Sequence, residues 1–369
     1  MSTIERIEIS MVDLVADVKR TDAIQAFTSQ ETPIVRIFDS EGAVGTGYSY
    51  TIGNGGYAVV DMLRRHLCPL IIGRDARYVE QIWRDLLFHA HANSIGPILA
   101  LAQAAIDTAL WDLRCVKAGQ PLHVMAGGAQ QSIPLYTTEG GWLHIDTQAL
   151  VDDALQAKAA GFGGSKVKVG RPNIMEDVAR LTAVREAVGD DFEIMTDANQ
   201  AFHVDEALRR AAAYEDLNLA WFEEPMPAED VSGHKRLVAS TKMPIAIGES
   251  MYGIGHFREY LANDACSIVQ VDVARVGGIT PWLKVAHMAE AFNMPVCPHF
   301  LMELHVSLVA AVPNGRWVEY IPQLANLTET GMTIKDGRAV PSSEPGLGIA
   351  WDWDKINAQR VNGETSVVS

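Results

Sequence analysis

Two lysines in the segment SKVKVG, residues 165–170, are spaced to do chemistry together. The alternation predicts a short strand in which Lys166 and Lys168 point to one face and the two valines to the other. One ammonium group can lower the proton affinity of its neighbour and make it usable as a base. A lysine pair is more often a solvated strand face, so this chemistry requires acidic partners nearby.

Ionisable side chains recur at the carboxyl ends of the later predicted strands. After Lys168 they follow at intervals of 20 to 29 residues, each about one strand plus one helix. The carboxyl ends of parallel barrel strands meet at one rim, where such folds have their active sites. The polar residues at these ends are Asp197 with Asn199, Glu223, Glu249, Asp272, His299 and Glu319. Such a series of strand ends predicts a single active-site rim.

Three of these residues, Asp197, Glu223 and Glu249, are carboxylates on adjacent predicted strands. Left unpaired in a pocket they would repel one another, so we expect a divalent cation between them. Oxygen ligands with open coordination positions suit Mg²⁺, with Mn²⁺ as the alternative. Glu224 is a competing ligand, but strand alternation points it away from the centre of the rim. Separate ion pairs with arginines are the purely structural alternative.

Asp272 and His299 end neighbouring predicted strands and can act as a pair. A carboxylate beside an imidazole fixes its tautomer and raises its pKa, which makes a useful acid or base. A lone histidine is more often a satisfied polar residue, and the carboxylate partner favours catalysis here. A metal site built from His299, Glu303 and His305 is not expected, because their spacing does not match H-E-x-x-H.

This constellation suits one chemistry, which begins with a substrate carboxylate that chelates the cation. A base removes the proton from the adjacent carbon, and the cation and nearby donors stabilise the resulting enediolate. Reprotonation from the opposite face would make the protein a racemase or epimerase. Loss of a β-hydroxyl would make it a dehydratase, and ring opening or closure a cycloisomerase.

The elements that must position these residues alternate strictly between strand and helix from about residue 133. Seven or eight such units predict a parallel sheet. A closed (β/α) barrel over residues 126–325 fits eight units, with a doubly wound open sheet as the second possibility. The predicted strands are 132–138, 165–169, 192–197, 219–224, 244–249, 267–272, 294–299 and 317–320.

The sequence on either side of the barrel predicts an accessory α+β structure. Residues 1–125 form its main part, in which strands precede helices and a loop covers residues 15–31. Residues 326–369 contain a turn at Asp336-Gly337 and are expected to pack back on the first domain as irregular or short β structure. The strands predicted in the first part are 4–13, 32–39 and 43–50.

The composition argues against several classes of partner. A net charge of −16 disfavours nucleic acid and anionic membranes, although local lysines can still attract a small anionic substrate. No apolar run approaches the roughly 20 residues that span a bilayer. The first residues lack a secretory pattern and the four cysteines lack metal-like spacing, so we expect a cytoplasmic protein with reduced thiols.

Several motifs together resemble the mandelate racemase subgroup of the enolase superfamily over nearly the whole chain. They are KVK, TDANQ, WFEEP, GES, VDVARVGGIT, PHF and EY, with the helical run AAIDTALWDLRCVKAGQPLHVMAGG. The resemblance implies an α/β fold, a modified TIM barrel with an α+β N-terminal capping domain that the C-terminal segment completes. It also implies a homo-oligomer.

By this resemblance the rim residues acquire individual roles. Lys168 matches the base for one face of the substrate, and Lys166 matches its neighbour that contacts the substrate carboxylate. His299, supported by Asp272, matches the base for the other face. Glu319 matches the acid that hydrogen-bonds the bound carboxylate. The residues that match the metal ligands and a polar substrate contact are Asp197, Glu223 and Glu249, and Asn199.

Within the subgroup, the run PHFLMELHVSLVAA resembles acid-sugar dehydratases, particularly those for talarate and galactarate. By resemblance to those enzymes, Lys168 of this chain would abstract the proton α to a metal-bound carboxylate, and His299 would protonate the departing β-hydroxyl. The substrate would be an aldonate or aldarate, and the product a 2-keto-3-deoxy sugar acid. A racemase, epimerase or cycloisomerase that uses the same two residues is the alternative. A catalytically silent binding protein should have lost at least one of these groups.

Specificity is expected to come from the capping domain, through the loop at 15–31 and the Gly-rich loop near 50–56. Around residues 137–141 the chain has glycine where mandelate racemase-like enzymes place a substrate-contacting serine, which argues against mandelate. Trp142 either lines the pocket or packs. The candidates for contact with a polyhydroxylated substrate, which are otherwise ordinary exposed loop residues, are Arg20, Thr21, Tyr48 and Tyr50.

Overall fold

Two sheets organise residues 2–92 and 96–369, the part of the chain that the computed structural model describes. The strands, numbered in chain order, are β1 (Ile4–Thr21), β2 (Ala26–Asp39), β3 (Val44–Tyr48), β4 (Thr51–Ile52), β5 (Ile133–Thr137), β6 (Gly164–Lys168), β7 (Glu193–Asp197), β8 (Trp221–Glu223), β9 (Ile245–Ile247), β10 (Ile268–Val269), β11 (Val318–Tyr320), β12 (Thr333–Lys335), β13 (Arg338–Val340) and β14 (Ser366–Val368). The helices are α1 (Gly56–Met62), α2 (Val79–Ala90), α3 (Pro97–Ala118), α4 (Leu122–Met125), α5 (Thr147–Ala159), α6 (Ile174–Val188), α7 (Val204–Tyr214), α8 (Val231–Val238), α9 (Ile254–Ala262), α10 (Ile279–Ala291), α11 (Met302–Ala311) and α12 (Trp353–Gln359).

The first sheet is antiparallel and joins both ends of the chain. β1 lies between β2 and β14, and β2 also pairs with β3 and β4. In the register of β14 with β1, Val368 lies opposite Ile7. The C-terminal segment therefore completes the sheet that the N-terminal strands begin.

The prediction of a loop over residues 15–31 is wrong, because most of this segment is a two-stranded ribbon. β1 continues to Thr21, which pairs with Ala26 at the start of β2, and the register shifts between Val15 and Arg20. The ribbon reaches beyond the core, and Val15 is 74% exposed. A ribbon without one buried face has no hydrophobic alternation, so the sequence pattern did not reveal it.

The long helix α3 packs directly on the first sheet. It lies against β3, where a Cβ on Gly47 would overlap the backbone of Ala109. Only glycine allows a strand and a helix to approach this closely. This contact holds the first sheet against α3, the long helix that precedes the barrel in the sequence.

The second sheet closes into a barrel. β5 to β10 run parallel in chain order, and β11 pairs with β5. Val296 forms one bridge to Val269 of β10 and another to Gly315, just before β11, and these bridges complete the ring. Helices α5 to α11 connect successive positions of the ring. The prediction of a closed barrel is therefore confirmed, and the doubly wound open sheet is not formed.

Two parts of the second sheet differ from the sequence prediction. Residues 294–299 form only the two bridges at Val296 instead of a strand, because Pro295 and Pro298 have no N–H to donate. The predicted turn at Asp336-Gly337 is confirmed between β12 and β13, and both residues have the positive φ that a tight hairpin requires. β13 pairs with β5 of the barrel and not with the first sheet.

Large side chains fill the interior of the barrel. The rings of Tyr136 and Trp221 meet edge to face with centroids 5.3 Å apart. The barrel is therefore a packed core and not a pore. The buried side chains of this interior cluster are Tyr136, Met195, Trp221, Ala246, Ile268, Cys297 and Trp317.

Three features concern the chain as a whole. Across residues 2–92 and 96–369, no helix has the length and apolar character that crossing a bilayer requires. The four cysteines lie in these ranges and are unpaired and buried. The domain boundaries at residues 125 and 325 stay predictions.

Candidate active site

Strand register brings the predicted rim residues side by side. Lys168 on β6 lies opposite Asp197 on β7, and Asp197 lies opposite Glu223 on β8. Glu249 and Asp272 follow the ends of β9 and β10. The carboxyl ends of neighbouring strands thus bring together side chains that are far apart in the sequence.

Lys166 is buried among carboxylates. Its Nζ lies 2.8 Å from Glu223 Oε1, 2.8 Å from Glu319 Oε1 and 3.6 Å from Asp197 Oδ2. Burial alone would lower the pKa of Lys166, but Glu223 and Glu319 outweigh it and hold the pKa well above its ordinary value. Lys166 therefore supplies a permanent positive charge to the rim.

Lys168 has one carboxylate and one amide as partners. Its Nζ contacts Asp197 and donates a 3.0 Å hydrogen bond to Asn199 Oδ1. Burial and Lys166 lower the pKa of Lys168, but Asp197 and the neighbouring carboxylates outweigh them and raise it. Lys166 thus lowers the pKa of Lys168, as the lysine pair predicts. The net shift of this pKa is nevertheless upward, because the Asp197 carboxylate stabilises the ammonium form.

Asp197, Glu223 and Glu249 form a triad that could hold a metal ion. One oxygen of each carboxylate lies within 4.8 Å of the other two, and all three residues are buried. Glu249 Oε2 is buried and has no hydrogen-bond partner among the described residues. A divalent cation would satisfy this oxygen and offset the repulsion between the carboxylates. The residues present therefore fit a cation with oxygen ligands.

Side chains inside the barrel hold Glu223 in place. Its Oε2 accepts hydrogen bonds from Trp221 Nε1 at 2.9 Å and from Gln270 Nε2 at 2.7 Å. Burial and Asp197 raise the pKa of Glu223 to about 7. Additional positive charge in the site would favour the ionised form of this carboxyl group.

Glu224, the competing ligand, lines the same cleft but is not one of the three clustered carboxylates. Its oxygens accept 3.2 Å hydrogen bonds from the backbone N–H and the hydroxyl of Ser250. Gln200 in turn donates to the same hydroxyl at 2.8 Å. Glu224 has a φ of 35°, so the backbone turns sharply as β8 ends.

The imidazole of His299 lies between two carboxylates. Its Nδ1 is 2.9 Å from Asp272 Oδ2, and its Nε2 is 3.4 Å from Glu249 Oε2. The pKa of Asp272 is raised by burial, but His299 and Arg275 outweigh burial and lower it to about 2. Asp272 is therefore an acceptor, Nδ1 carries a hydrogen, and Nε2 faces the triad. Burial lowers the pKa of His299, whereas Glu249 and Asp272 raise it above its ordinary value.

Glu319 completes the rim on the far side of Lys166. Its Oε1 accepts a hydrogen bond from the Thr138 hydroxyl, and its Oε2 accepts one from the backbone N–H of Phe300 at 2.8 Å. Burial raises the pKa of Glu319, but Lys166 and His299 outweigh it and hold the pKa far below its ordinary value. Glu319 is therefore ionised here, whereas the role expected from the resemblance requires the protonated acid.

The rim opens into a cleft of about 100 Å³ that residues from both sheets line. The ribbon that the end of β1 and the start of β2 form covers one side of this cleft. The cleft gives a small molecule a path to the rim. The lining residues include Arg20, Asp22, Ile24 and Phe27 from the ribbon, and Lys166, Lys168, Asn199, Glu249, His299 and Glu319 from the barrel.

Two specificity candidates lie at the end of β1. Arg20 is 4% exposed and lines the cleft, and its Nη2 lies 2.8 Å from Glu139 Oε1 and donates to Pro322 O at 3.1 Å. Thr21 Oγ1 lies 2.8 Å from His144 Nδ1. Both residues therefore tie the ribbon to the barrel, and Arg20 also faces the cleft.

Tyr48 and Tyr50, the other two candidates for substrate contact, are neither exposed loop residues nor among the residues that line this cleft. Both are buried where the first sheet meets the rest of the chain. The Tyr48 ring packs edge to face on Trp351. The Tyr50 hydroxyl donates to Asp272 Oδ2 at 2.7 Å. Trp142, which the sequence left open, lines the cleft.

Sequence reasoning missed four polar residues that support the rim. Two of them precede a rim carboxylate by two residues on the same strand face, so alternation could have found them. Thr138 follows β5 as the other rim residues follow their strands. Arg275 Nη1 lies 3.3 Å from Glu249 Oε1; the residue stands within the motif VDVARVGGIT, but strand spacing does not mark it as a rim residue. The four residues are Thr138, Trp221, Gln270 and Arg275.

Two protein-family descriptions match most of the chain. The N-terminal domain of mandelate racemase / muconate lactonizing enzyme matches residues 8–127, and the enolase C-terminal domain-like family matches residues 149–355. The chain therefore belongs to the mandelate racemase / muconate lactonizing enzyme family of the enolase superfamily. The resemblance found in the motifs is confirmed.

Known relatives extend over nearly the full length. An L-talarate/galactarate dehydratase from Salmonella typhimurium is 35% identical over 353 residues, 94% of this chain and 88% of the relative. A 3,6-anhydro-alpha-L-galactonate cycloisomerase from Streptomyces coelicolor is 35% identical over 357 residues, 96% of this chain and 98% of the relative. The crystal structure of the Salmonella dehydratase liganded with Mg and L-lyxarohydroxamate has a TM-score of 0.95 at 33% identity, covering 100% of this chain and 95% of that chain. The modified TIM barrel with its N-terminal capping domain is thereby confirmed.

Proposed function

We propose that this protein is a Mg²⁺-dependent acid-sugar dehydratase that converts an aldonate or aldarate into a 2-keto-3-deoxy sugar acid. The proposal rests on the geometry of two acid/base groups at opposite ends of one carboxylate triad. Lys168 contacts Asp197 at one end, and His299 Nε2 lies 3.4 Å from Glu249 Oε2 at the other. A substrate held at the triad would have a base and an acid within reach.

The relatives support both the reaction class and the cation. The Salmonella relative is named a dehydratase, and its structure is liganded with Mg. The residues that would hold Mg²⁺ in this chain are Asp197, Glu223 and Glu249, with Mn²⁺ as the alternative ion. When bound, the ion would polarise the substrate carboxylate and stabilise the negative charge that develops on it.

The chain's own residues then perform the proton transfers. Lys166 orients a substrate carboxylate oxygen, and Asn199 holds a substrate hydroxyl. Lys168 removes the proton from the carbon next to the carboxylate, which requires Asp197 to be engaged elsewhere, because that carboxylate raises the pKa of Lys168. His299 gives a proton to the hydroxyl on the following carbon, one water leaves, and the remaining enol becomes the 2-keto acid.

A cycloisomerase, racemase or epimerase is the second candidate. The observation that favours it is the cycloisomerase relative, which at 35% is as identical to this chain as the dehydratase relative. Lys168 and His299 would serve here too, with His299 transferring a proton to carbon or to a ring oxygen. The two candidates therefore share their residues and differ in the fate of the β-hydroxyl.

A panel of acid sugars separates these candidates. The protein would be incubated with Mg²⁺ and with each of a set of aldonates and aldarates, and a colour reaction would detect 2-keto-3-deoxy acids. We expect colour with at least one compound and none after treatment with a chelator. Absence of colour across the panel would count against dehydration. A change in optical rotation without colour would favour the isomerase.

Arg20 is proposed to bind the part of the substrate that lies away from the triad. Replacing Arg20 by methionine should raise KM at least about tenfold, because a charge-assisted hydrogen bond contributes roughly 1.5–3 kcal/mol, whereas kcat should change less. Methionine retains much of the side-chain volume but removes the charge. Steady-state kinetics with the substrate found in the panel would measure both constants.

A second variant controls for the partner of Arg20. The substitution leaves Glu139 without its ion pair, so Arg20→Met should also be combined with Glu139→Gln. The rise in KM should persist in the double variant if Arg20 contacts the substrate. Its disappearance would show that the loss came from the unpaired carboxylate.

We further propose that the protein is a cytoplasmic homo-oligomer. Apolar side chains are exposed on the ribbon, with Val15 at 74%, Val18 at 40% and Ile24 at 58%. Grouped exposed apolar side chains are typical of interaction surfaces. Unpaired, buried thiols suit a reducing compartment. Light scattering after size-exclusion chromatography should give a multiple of 40.2 kDa, and a monomer mass would contradict the oligomer.

A further inference from the structure

A third side chain extends the pair of His299 and Asp272 into the capping domain. Tyr50, which lies between β3 and β4, donates its hydroxyl hydrogen to Asp272 Oδ2 at 2.7 Å. The same oxygen lies 2.9 Å from Nδ1 of His299. We infer that Tyr50 is a positioning residue that fixes the acid/base imidazole through Asp272. The inference rests on the proposed function of His299.

The surroundings of Tyr50 hold its hydroxyl in place. The residue is 2% exposed, and its ring packs on Phe300 with centroids 4.8 Å apart. Phe300 in turn stacks on His299, with centroids 5.1 Å apart and planes 14° apart. Burial raises the pKa of Tyr50 well above its ordinary value, so the hydroxyl keeps its hydrogen and remains a donor.

The carboxylate of Asp272 has donors on both of its oxygens. Oδ1 accepts from the backbone N–H groups of Ala274 and Arg275 at 2.8 and 3.0 Å. Oδ2 accepts from Tyr50 and His299. In a buried site, rotation of this carboxylate would break at least one of these bonds, so each donor restrains it. Without the tyrosine hydroxyl, Oδ2 would lose one restraint, and the carboxylate and imidazole could turn together.

The backbone after His299 also needs support. Phe300 and Leu301 have φ values of 62° and 31°, a conformation that persists in such residues only when the surroundings enforce it. The ring contact with Tyr50 and the hydrogen bond from Phe300 N to Glu319 supply that support. A phenylalanine at position 50 would keep the ring contact and remove only the hydroxyl.

The Tyr50→Phe variant tests the inference through the fate of the reaction intermediate. With His299 less well oriented, departure of the hydroxyl slows, while proton removal by Lys168 continues. The intermediate then returns to substrate more often and takes up deuterium when the reaction runs in D₂O. We expect kcat to fall about 10- to 100-fold, the loss of one hydrogen bond to a charged group, with KM nearly unchanged. The ratio of deuterated substrate to product should rise by about the same factor as kcat falls.

Tyr48→Phe is the matched control. Tyr48 is 1% exposed, and its hydroxyl has no hydrogen-bond partner among the described residues, so its removal should alter neither kcat nor the deuterium ratio. If Tyr50→Phe lowers kcat without changing the ratio, Tyr50 is merely structural and the inference is overturned. Activity of Tyr50→Phe equal to that of the unaltered protein would overturn it as well.

A double variant covers the case in which Tyr50→Phe loses stability. If Tyr50 acts through Asp272, the variant Tyr50→Phe/Asp272→Asn should be no slower than Asp272→Asn alone. Additive losses would overturn the inference. An unaltered protein that catalyses neither exchange nor elimination would refute the proposed function and this inference together, whereas the other outcomes concern Tyr50 alone.

Discussion

Replacing Lys168 by alanine should lower kcat by at least about two to four orders of magnitude, the usual contribution of a general acid or base. In the proposed reaction Lys168 takes the proton from the carbon next to the carboxylate. Lys166 cannot replace it, because its Nζ is held between Glu223 and Glu319 at 2.8 Å from each. Proton exchange and elimination should therefore both be lost.

His299→Asn should cause a loss of similar size but of a different kind. Departure of the hydroxyl needs the imidazole, whereas removal of the first proton needs only Lys168. The asparagine variant should therefore still exchange the substrate proton with D₂O while forming almost no product. The two variants together assign the order of the steps, which neither assigns alone.

Fixed-time assays would measure the turnover of both variants, and proton NMR would measure their proton exchange, with Lys242→Ala as the control. Lys242 is exposed and lines a cavity with residues that begin the barrel strands, at the end opposite to the rim. This control should retain full activity. Substantial turnover by Lys168→Ala would contradict the assignment of the base.

Removing divalent ions with a chelator should abolish turnover and leave the fold intact. The barrel interior is packed by apolar and aromatic side chains, so we expect its stability not to depend on an ion at the triad. Without an ion, the lysines of β6 still pair with Asp197, Glu223 and Glu319, which limits the repulsion between the carboxylates. We therefore expect far-UV circular dichroism to remain unchanged.

Addition of Mg²⁺ in excess of the chelator should restore activity. Glu249→Gln should weaken this restoration, so that at least about tenfold more Mg²⁺ is needed, because the variant removes one charged oxygen ligand. Gln270→Leu, which removes a donor to Glu223 and leaves all three ligands, should have a smaller effect. Collapse of the circular dichroism signal on chelation would contradict this account and make the ion structural.

The rim could be predicted from the sequence because strand spacing determines it. Parallel strands of similar length place their carboxyl ends at one edge, so residues such as Lys168, Asp197 and Glu223 align without knowledge of any contact. The motifs then identified the family. The cation triad follows from the same regularity, since three adjacent strands end in carboxylates.

The capping domain could not be predicted in the same way. Its ribbon has no buried face, and its contacts with the barrel join residues that no periodicity relates. Tyr50 and Asp272 are 222 residues apart in sequence, and Arg20 and Glu139 are 119 apart. Tyr50 was therefore a candidate for substrate contact, although it is a buried donor to Asp272 behind the imidazole.

The pKa directions also depended on contacts that the sequence does not contain. The lysine pair alone predicts a lowered pKa for Lys168. The spacing placed Asp197 on the same rim but did not show that its carboxylate contacts the Lys168 ammonium group. Glu319 was expected as a protonated acid, but Lys166 keeps it ionised. Spacing thus predicted which groups meet, and only their distances determined how each group affects its neighbours.

The central claim is elimination of a β-hydroxyl from an acid sugar, and proton NMR in D₂O with Mg²⁺ tests it most directly. We expect at least one aldonate or aldarate to lose its signals while a new signal of a deuterated 3-deoxy product grows. Exchange at carbon 2 without elimination would contradict dehydration and favour the racemase or epimerase. Neither exchange nor elimination with any acid sugar would contradict the proposed substrate class.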